Sequence, residues 1–128
     1  MSAEELDTDG LEYLRWSMFD SPDSEGSAYR FMEREPVYIL DRMVKRYRFN
    51  LNIELAYTSK SVADKILLPK NSAHRIGRGI RLRCVGPKKR QKIIKALIEQ
   101  GVNRIGVSKE TVYFDTDDLK QYGFFLWN

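Results

Sequence analysis

The sequence predicts an α+β fold: a single compact domain with a small antiparallel sheet flanked by helices. Three observations carry this. A chain of 128 residues, 42% of them hydrophobic, suits one domain with one modest core. Apolar residues recur at helical spacing in two stretches and at alternate positions in two others, which separates helices from half-buried strands. The order of these elements is helix, strand, short helix, strand, helix, hairpin, which favours an antiparallel sheet over repeated crossover units.

Residues 1–10, "MSAEELDTDG", read as a flexible acidic start, and residues 11–128 as the domain. The start has no apolar stretch of the kind a secretory signal needs. "LEYLRWSMF" is rich in aromatic residues and is expected to pack on the domain, while "DSPDSEGS" (20–27) has the Pro, Gly, Asp and Ser content of a loop. Pro36 opens a helix, because proline in a first turn loses no needed donor, and Val37, Leu40, Val44 and Tyr47 follow at helical spacing. "LNIELAY" alternates Leu51, Ile53, Leu55 and Tyr57 as a half-buried strand, and "SVADKILL" is a short helix stopped by Pro69. "GIRLRC" points Ile80, Leu82 and Cys84 inward and Arg81 and Arg83 outward. "GPKKRQKIIKALIEQG" is a helix with the stripe Ile93, Ile94, Leu97 and Ile98, ended by Gly101. "RIGV" and "TVYFD", joined by "SKE", form a hairpin, and "GFFLWN" is a terminal aromatic segment.

Charge is unevenly placed. The chain has 22 Lys and Arg against 18 Asp and Glu, for a net +4. Eleven of the basic residues and no acidic one fall between Lys65 and Ile98, so a basic middle is flanked by acidic ends. Such a block suits a polyanion or an acidic protein partner. The candidate anion-binding residues are Arg75, Arg78, Arg81, Arg83, Lys88, Lys89, Arg90 and Lys92, extended by Lys95, and Tyr57 and Tyr113 offer rings for stacking on bases or sugars. No apolar run is long enough for a membrane span. The single cysteine, Cys84, has no internal disulfide partner and is compatible with a reducing cytosol. "GRGIRLR" lacks the Gly-Lys-Ser/Thr of a phosphate loop, and Ser72 with His74 lacks a third partner for nucleophilic catalysis.

The only histidine lies in "NSAHRIGRGIRL". Phe19-Asp20-Ser21-Pro22-Asp23 with Gly26-Ser27, then Ser72, His74 and Gly77, then Gly101, Ile105, Gly106, Asp115 and Trp127 stand in a familiar order and spacing. In these landmarks the chain resembles the M15 zinc peptidases, in particular the small phage and bacterial enzymes of D-Ala-D-Ala carboxypeptidase and murein endopeptidase type. The resemblance spans roughly residues 11–128. It implies their α+β fold and a zinc held by the His and Asp of Ser-x-His-x-x-Gly-x-Ala-x-Asp and by the His of a later His-x-Asp. Only His74 persists. The Asp position is Arg81, the second His position is Tyr113, and the family's substrate-polarising arginine falls at Thr58. Glu110 matches the general base.

Catalytic zinc needs three protein ligands and an open position for water. One imidazole does not supply this, and an arginine in the first shell repels a dication. Arg81 is expected to fill the vacancy with its own charge by bridging to Glu110 or Asp115. Relocated ligands would have to come from Cys84, Asp115, Asp117 and Asp118. The leading expectation is a pseudoenzyme, encoded by a phage, located in the host cytoplasm or on the virion, without zinc or another cofactor. Its basic former cleft would bind nucleic acid or another anionic partner. The alternatives are an active zinc peptidase cleaving peptidoglycan stem peptides, and a non-catalytic peptidoglycan-binding module marked by a deep neutral cleft.

Overall fold

Both long helices carry proline in the first turn, where backbone donors have no intrahelical acceptor. In the computed structural model, which describes residues 2–118, 120 and 123–126, these are α3 (Arg34–Tyr47) and α5 (Pro87–Glu99). Before α3 come α1 (Ala3–Asp7), a 3₁₀ turn (Trp16–Phe19) and α2 (Ser27–Phe31). Between the long helices lie β1 (Asn52–Leu55), α4 (Lys60–Lys65) and β2 (Gly79–Arg83), and after them β3 (Arg104–Val107), β4 (Thr111–Asp115) and β5 (Gly123–Leu126). The strand order is β1-β2-β4-β3-β5. The first four strands pair antiparallel, as the sequence predicts, while β5 joins β3 in parallel as an edge strand built from the terminal aromatic segment.

Register assigns the two faces. Ile80 lies across from Phe114, Leu82 from Val112 and Ile105 from Phe114, so these side chains share one face. That face meets Leu40 and Met43 of α3, Ile93 and Leu97 of α5, and Trp16 and Phe19, all buried in one hydrophobic core. On the opposite face one row of Cα partners runs Leu55, Arg81, Tyr113, Gly106, Phe125.

Three expectations need correction. The alternation through residues 51–57 breaks at a bulge between Ile53 and Leu55, which moves Leu55 onto the Arg81 face and lets Ala56 join the core. Ile98 is exposed, because three residues already close the buried stripe of α5: Ile93, Ala96 and Leu97. The acidic start contains a helix, α1, with a Ser2–Glu5 capping box. It is also fastened to the domain: the Asp7 carboxylate accepts the Ser17 N–H at 2.7 Å, the Asp9 carbonyl accepts the Trp16 indole N–H at 2.8 Å, and the Asp9 carboxylate accepts the Tyr29 hydroxyl at 2.8 Å. Trp127, the last landmark of the resemblance, lies outside the described residues. No helix among the described residues is long and apolar enough to cross a membrane.

The N-terminal segment is held against α3 by one carboxylate. Buried Asp41 accepts the backbone N–H groups of Glu12, Tyr13 and Leu14, each at 2.9 Å. Hydrogen bonds to a charged group contribute more than neutral ones, and losing the acceptor leaves desolvated donors behind. Asp41→Ala is expected to lower stability by roughly 3 kcal/mol in urea unfolding at neutral pH. A loss under about 1 kcal/mol would show that water replaces the carboxylate at no cost.

Candidate functional site

The residues singled out around His74 are assembled by the loop before β2 and by the β2–β4 pair. Gly77 makes that loop possible. Its φ is +70°, and a Cβ there would lie 2.5 Å from the Met32 Cα, so any larger residue would drive the loop off the end of α2. The turn buries His74 and sets its Nδ1 2.9 Å from the Ala56 carbonyl oxygen. Thr58 knits the same contact. Its hydroxyl donates to the Ala56 carbonyl at 3.2 Å, and its N–H donates to the His74 carbonyl at 3.1 Å. Thr58, at the resemblance's arginine position, is fully buried and serves the backbone.

Arg81 and Tyr113 are direct cross-strand partners, and the His74 ring meets the Tyr113 ring edge-on at 5.4 Å. Gly79 leaves room for this, since a Cβ there would lie 3.0 Å from the Tyr113 hydroxyl. That hydroxyl donates to Asp115 Oδ2 at 2.6 Å. Asp115 has no exposed side-chain surface and is also held by Arg104 Nε, at 2.9 and 3.1 Å to its two oxygens, and by the Asp117 N–H at 3.1 Å. Across Gly106, which projects no side chain, the rings of Tyr113 and Phe125 approach to 5.9 Å.

Arg104 was not among the residues expected at the site. The signal for it exists: a three-residue "SKE" connection with Val107 opposite Val112 places Arg104 opposite Asp115.

Electrostatics follow from this packing. Burial lowers the His74 pKa from 6.5 to about 4; the Ala56 and Gly79 carbonyls and the Asp115 charge oppose this, and Arg81 adds to it. Burial and the Asp115 carboxylate push the Tyr113 phenol above the usual tyrosine range. At neutral pH the two rings are thus an uncharged imidazole and an uncharged phenol.

Arg81 does not bridge to Glu110 or Asp115, contrary to expectation. Asp115 is held by Arg104, and Glu110, at the opposite end of β4, pairs with Arg83 at 3.3 Å. Arg81 Nε instead lies 2.7 Å from Glu54 Oε1, although its N–H is not directed at that oxygen and has no hydrogen-bond acceptor among the described residues. Close charge contact is present without good hydrogen-bond geometry. Together Glu54, Arg81, Arg83, Ser108, Lys109, Glu110 and Thr111 line a charged groove on this face of the sheet.

These residues do not fit a catalytic zinc. The Nδ1 of His74 faces a carbonyl, Tyr113 keeps its proton and shares it with Asp115, and Arg81 is a fixed cation. Among the described residues no group of three His, Cys, Asp or Glu side chains comes together to hold a metal ion. Cys84 is buried in the core on the other face of β2, and burial raises its thiol pKa. Asp117 lies 3.4 Å from Lys120, and Asp118 lies 3.1 Å from Arg78.

The basic block divides into two parts. The arginines are internally matched. Arg75 pairs with Asp64 at 2.9 Å and donates to the carbonyls of Leu68 and Pro69; Arg78 pairs with Asp118 and Glu33; Arg83 pairs with Glu54 and Glu110. Arg90 donates to the Ser108 and Lys109 carbonyls in the β3–β4 turn. The lysines of α5 are different. Lys88, Lys92 and Lys95 are exposed, and no carboxylate among the described residues lies within 4 Å of them. Lys89 donates to the Asn50 carbonyl at 2.9 Å.

No family model, curated protein or solved structure matches this chain.

The lowered pKa of His74 makes stability depend on pH in a defined window. Above pH 6.5 the imidazole is neutral in both states. Between 6.5 and about 4 the unfolded chain binds a proton that the folded chain refuses, so stability falls as pH falls through that range. The full effect is on the order of 3 kcal/mol. Because the chain has one histidine, its ring proton resonances read this directly. They are expected to stay at neutral positions down to about pH 4. A midpoint near 6.5 would mean that His74 is solvated.

Proposed function

We propose that this chain is a non-catalytic scaffold of the M15 peptidase kind, encoded by a phage, acting in a binding or structural role toward an anionic partner in the host cytoplasm or on the virion. One observation carries the reading. Three positions that the resemblance assigns to zinc, His74, Arg81 and Tyr113, converge on one spot of the sheet although 39 residues separate the first from the last, and each is committed to a different structural contact there. Convergence of motif positions supports common ancestry of the fold. The chemistry of the three side chains supports the loss of catalysis, since none of them activates water without a metal and Glu110 is drawn to Arg83 at the far end of β4.

Of the two alternatives, an active peptidase would need ligands that these side chains do not provide. A peptidoglycan-binding module would keep a deep neutral cleft, whereas the groove over Arg81 is lined by two arginines, a lysine and two glutamates. An anionic partner is favoured by the unmatched lysines of α5.

Metal analysis tests the proposal. Protein purified without chelator is expected to hold far less than one zinc per chain, and its thermal unfolding is expected to be the same with and without EDTA. The double variant Arg81→Asp with Tyr113→His is expected to recruit zinc, because it places two ligands beside His74 and removes the cation. One tightly held zinc in the natural chain, lost on His74→Ala, would overturn the reading. A folded double variant that binds no zinc would show that these three positions are not a former metal site.

A further inference from the structure

We infer that the groove between the C-terminal end of α3 and the lysine face of α5 binds single-stranded nucleic acid, which rests on the anion-binding reading above and names its ligand. The groove encloses about 680 Å³, with Tyr47 and Phe49 on one side and Lys88, Lys89, Lys92 and Lys95 on the other. Two kinds of surface therefore face the same space.

The first is a row of cations. Lys88, Lys92 and Lys95 are four and three residues apart, so they stand on one face of α5 and span about 10 Å along its axis. Laid along this face, a strand can bring a phosphate to each of the three lysines. These lysines have no carboxylate partner among the described residues, so a phosphate meets charge that is not already neutralised. Lys89 is anchored on the Asn50 carbonyl and ties the two walls together.

The second is a π surface. The Tyr47 and Phe49 rings lie 5.5 Å apart at 40°, and Tyr47 is 40% exposed. The Arg46 guanidinium sits 5.2 Å from the Tyr47 ring centroid and brings further positive charge to this wall. Glu99, the acidic residue at the end of α5, is held by the Tyr47 hydroxyl and lies 3.9 Å from Arg46, so its charge is offset. Stacking on an aromatic ring contributes about 1–3 kcal/mol per base and tolerates any base. A duplex presents phosphates but keeps its base faces stacked inside, and an acidic polypeptide presents carboxylates without flat rings. Cations and exposed rings in one groove fit a single strand better than either.

Fluorescence anisotropy of the full chain with labelled 12-nucleotide oligo(dT), the matching 12-base-pair duplex and polyglutamate tests this. Oligo(dT) is expected to bind most tightly at low salt and to weaken steeply as salt rises. Replacing Lys88, Lys92 and Lys95 with Gln is expected to reduce the slope of log affinity against log salt by about 2, from three phosphate contacts at about 0.7 each. Tyr47→Leu is expected to weaken oligo(dT) by roughly 5- to 150-fold while leaving duplex and polyglutamate unchanged. Tyr47→Trp keeps a ring and is expected to retain binding, which separates lost stacking from lost folding. Lysine-dependent binding of polyglutamate as tight as that of oligo(dT), and insensitive to Tyr47, would overturn the nucleic-acid inference and leave the anion-binding scaffold standing. If the folded protein bound none of the three at low salt, both would fall.

Discussion

The outer face of the sheet depends on the buried carboxylate of Asp115. It faces the Arg104 guanidinium across the β3–β4 hairpin and accepts the Tyr113 hydroxyl and the Asp117 backbone N–H. A charge with no exposed surface persists only when its oxygens are matched, and here every partner is supplied from β3, β4 or the residues just after them. Because Tyr113 is held by Asp115, its ring lies beside His74. Because the ring lies there, His74 is sealed from water and stays neutral. Removing Asp115 would take from Arg104 its carboxylate and from Tyr113 the acceptor of its hydroxyl, so hairpin, ring and histidine form one unit.

The same unit explains the division of charge over the surface. Once Asp115 is committed to Arg104, Arg81 takes Glu54 from the neighbouring strand, and Arg83 shares Glu54 while reaching Glu110. Arg75 and Arg78 close loops through Asp64, Asp118 and Glu33. Each arginine around His74 thus works inside the fold. The positive charge left for a partner lies on α5, where the amphipathic pattern buries Ile93, Ala96 and Leu97 and turns the lysines outward. A basic block that looks continuous in sequence is two parts, one internally paired and one exposed on α5.

Much of the fold was legible because periodicity reports burial directly. The alternation in "GIRLRC" assigned Ile80, Leu82 and Cys84 to the core and Arg81 and Arg83 to the other face, and the structure agrees. The helix after Pro87 and the hairpin around "SKE" also stand where the pattern put them. What periodicity misses is an inserted residue. The bulge at Glu54 shifts Leu55 to the opposite face, and no pattern in "LNIELAY" announces it. Partner choice was less legible: the sequence offers Arg81 both Glu110 and Asp115, only the hairpin register commits Asp115 to Arg104, and nothing in the sequence points to Glu54. The groove was invisible for another reason: Tyr47 and Lys88 are 41 residues apart and meet only when α3 packs on α5.

The side chains around His74 are committed to internal contacts, and the surface we propose for recognition lies on α5. Backbone amide NMR during titration with oligo(dT) tests this most directly, because it reports where a ligand lands. The account predicts shift changes at Tyr47, Phe49 and along Lys88 to Lys95, with His74, Arg81, Glu110 and Tyr113 unmoved. Changes centred on His74, Arg81 and Tyr113, with α5 silent, would contradict it.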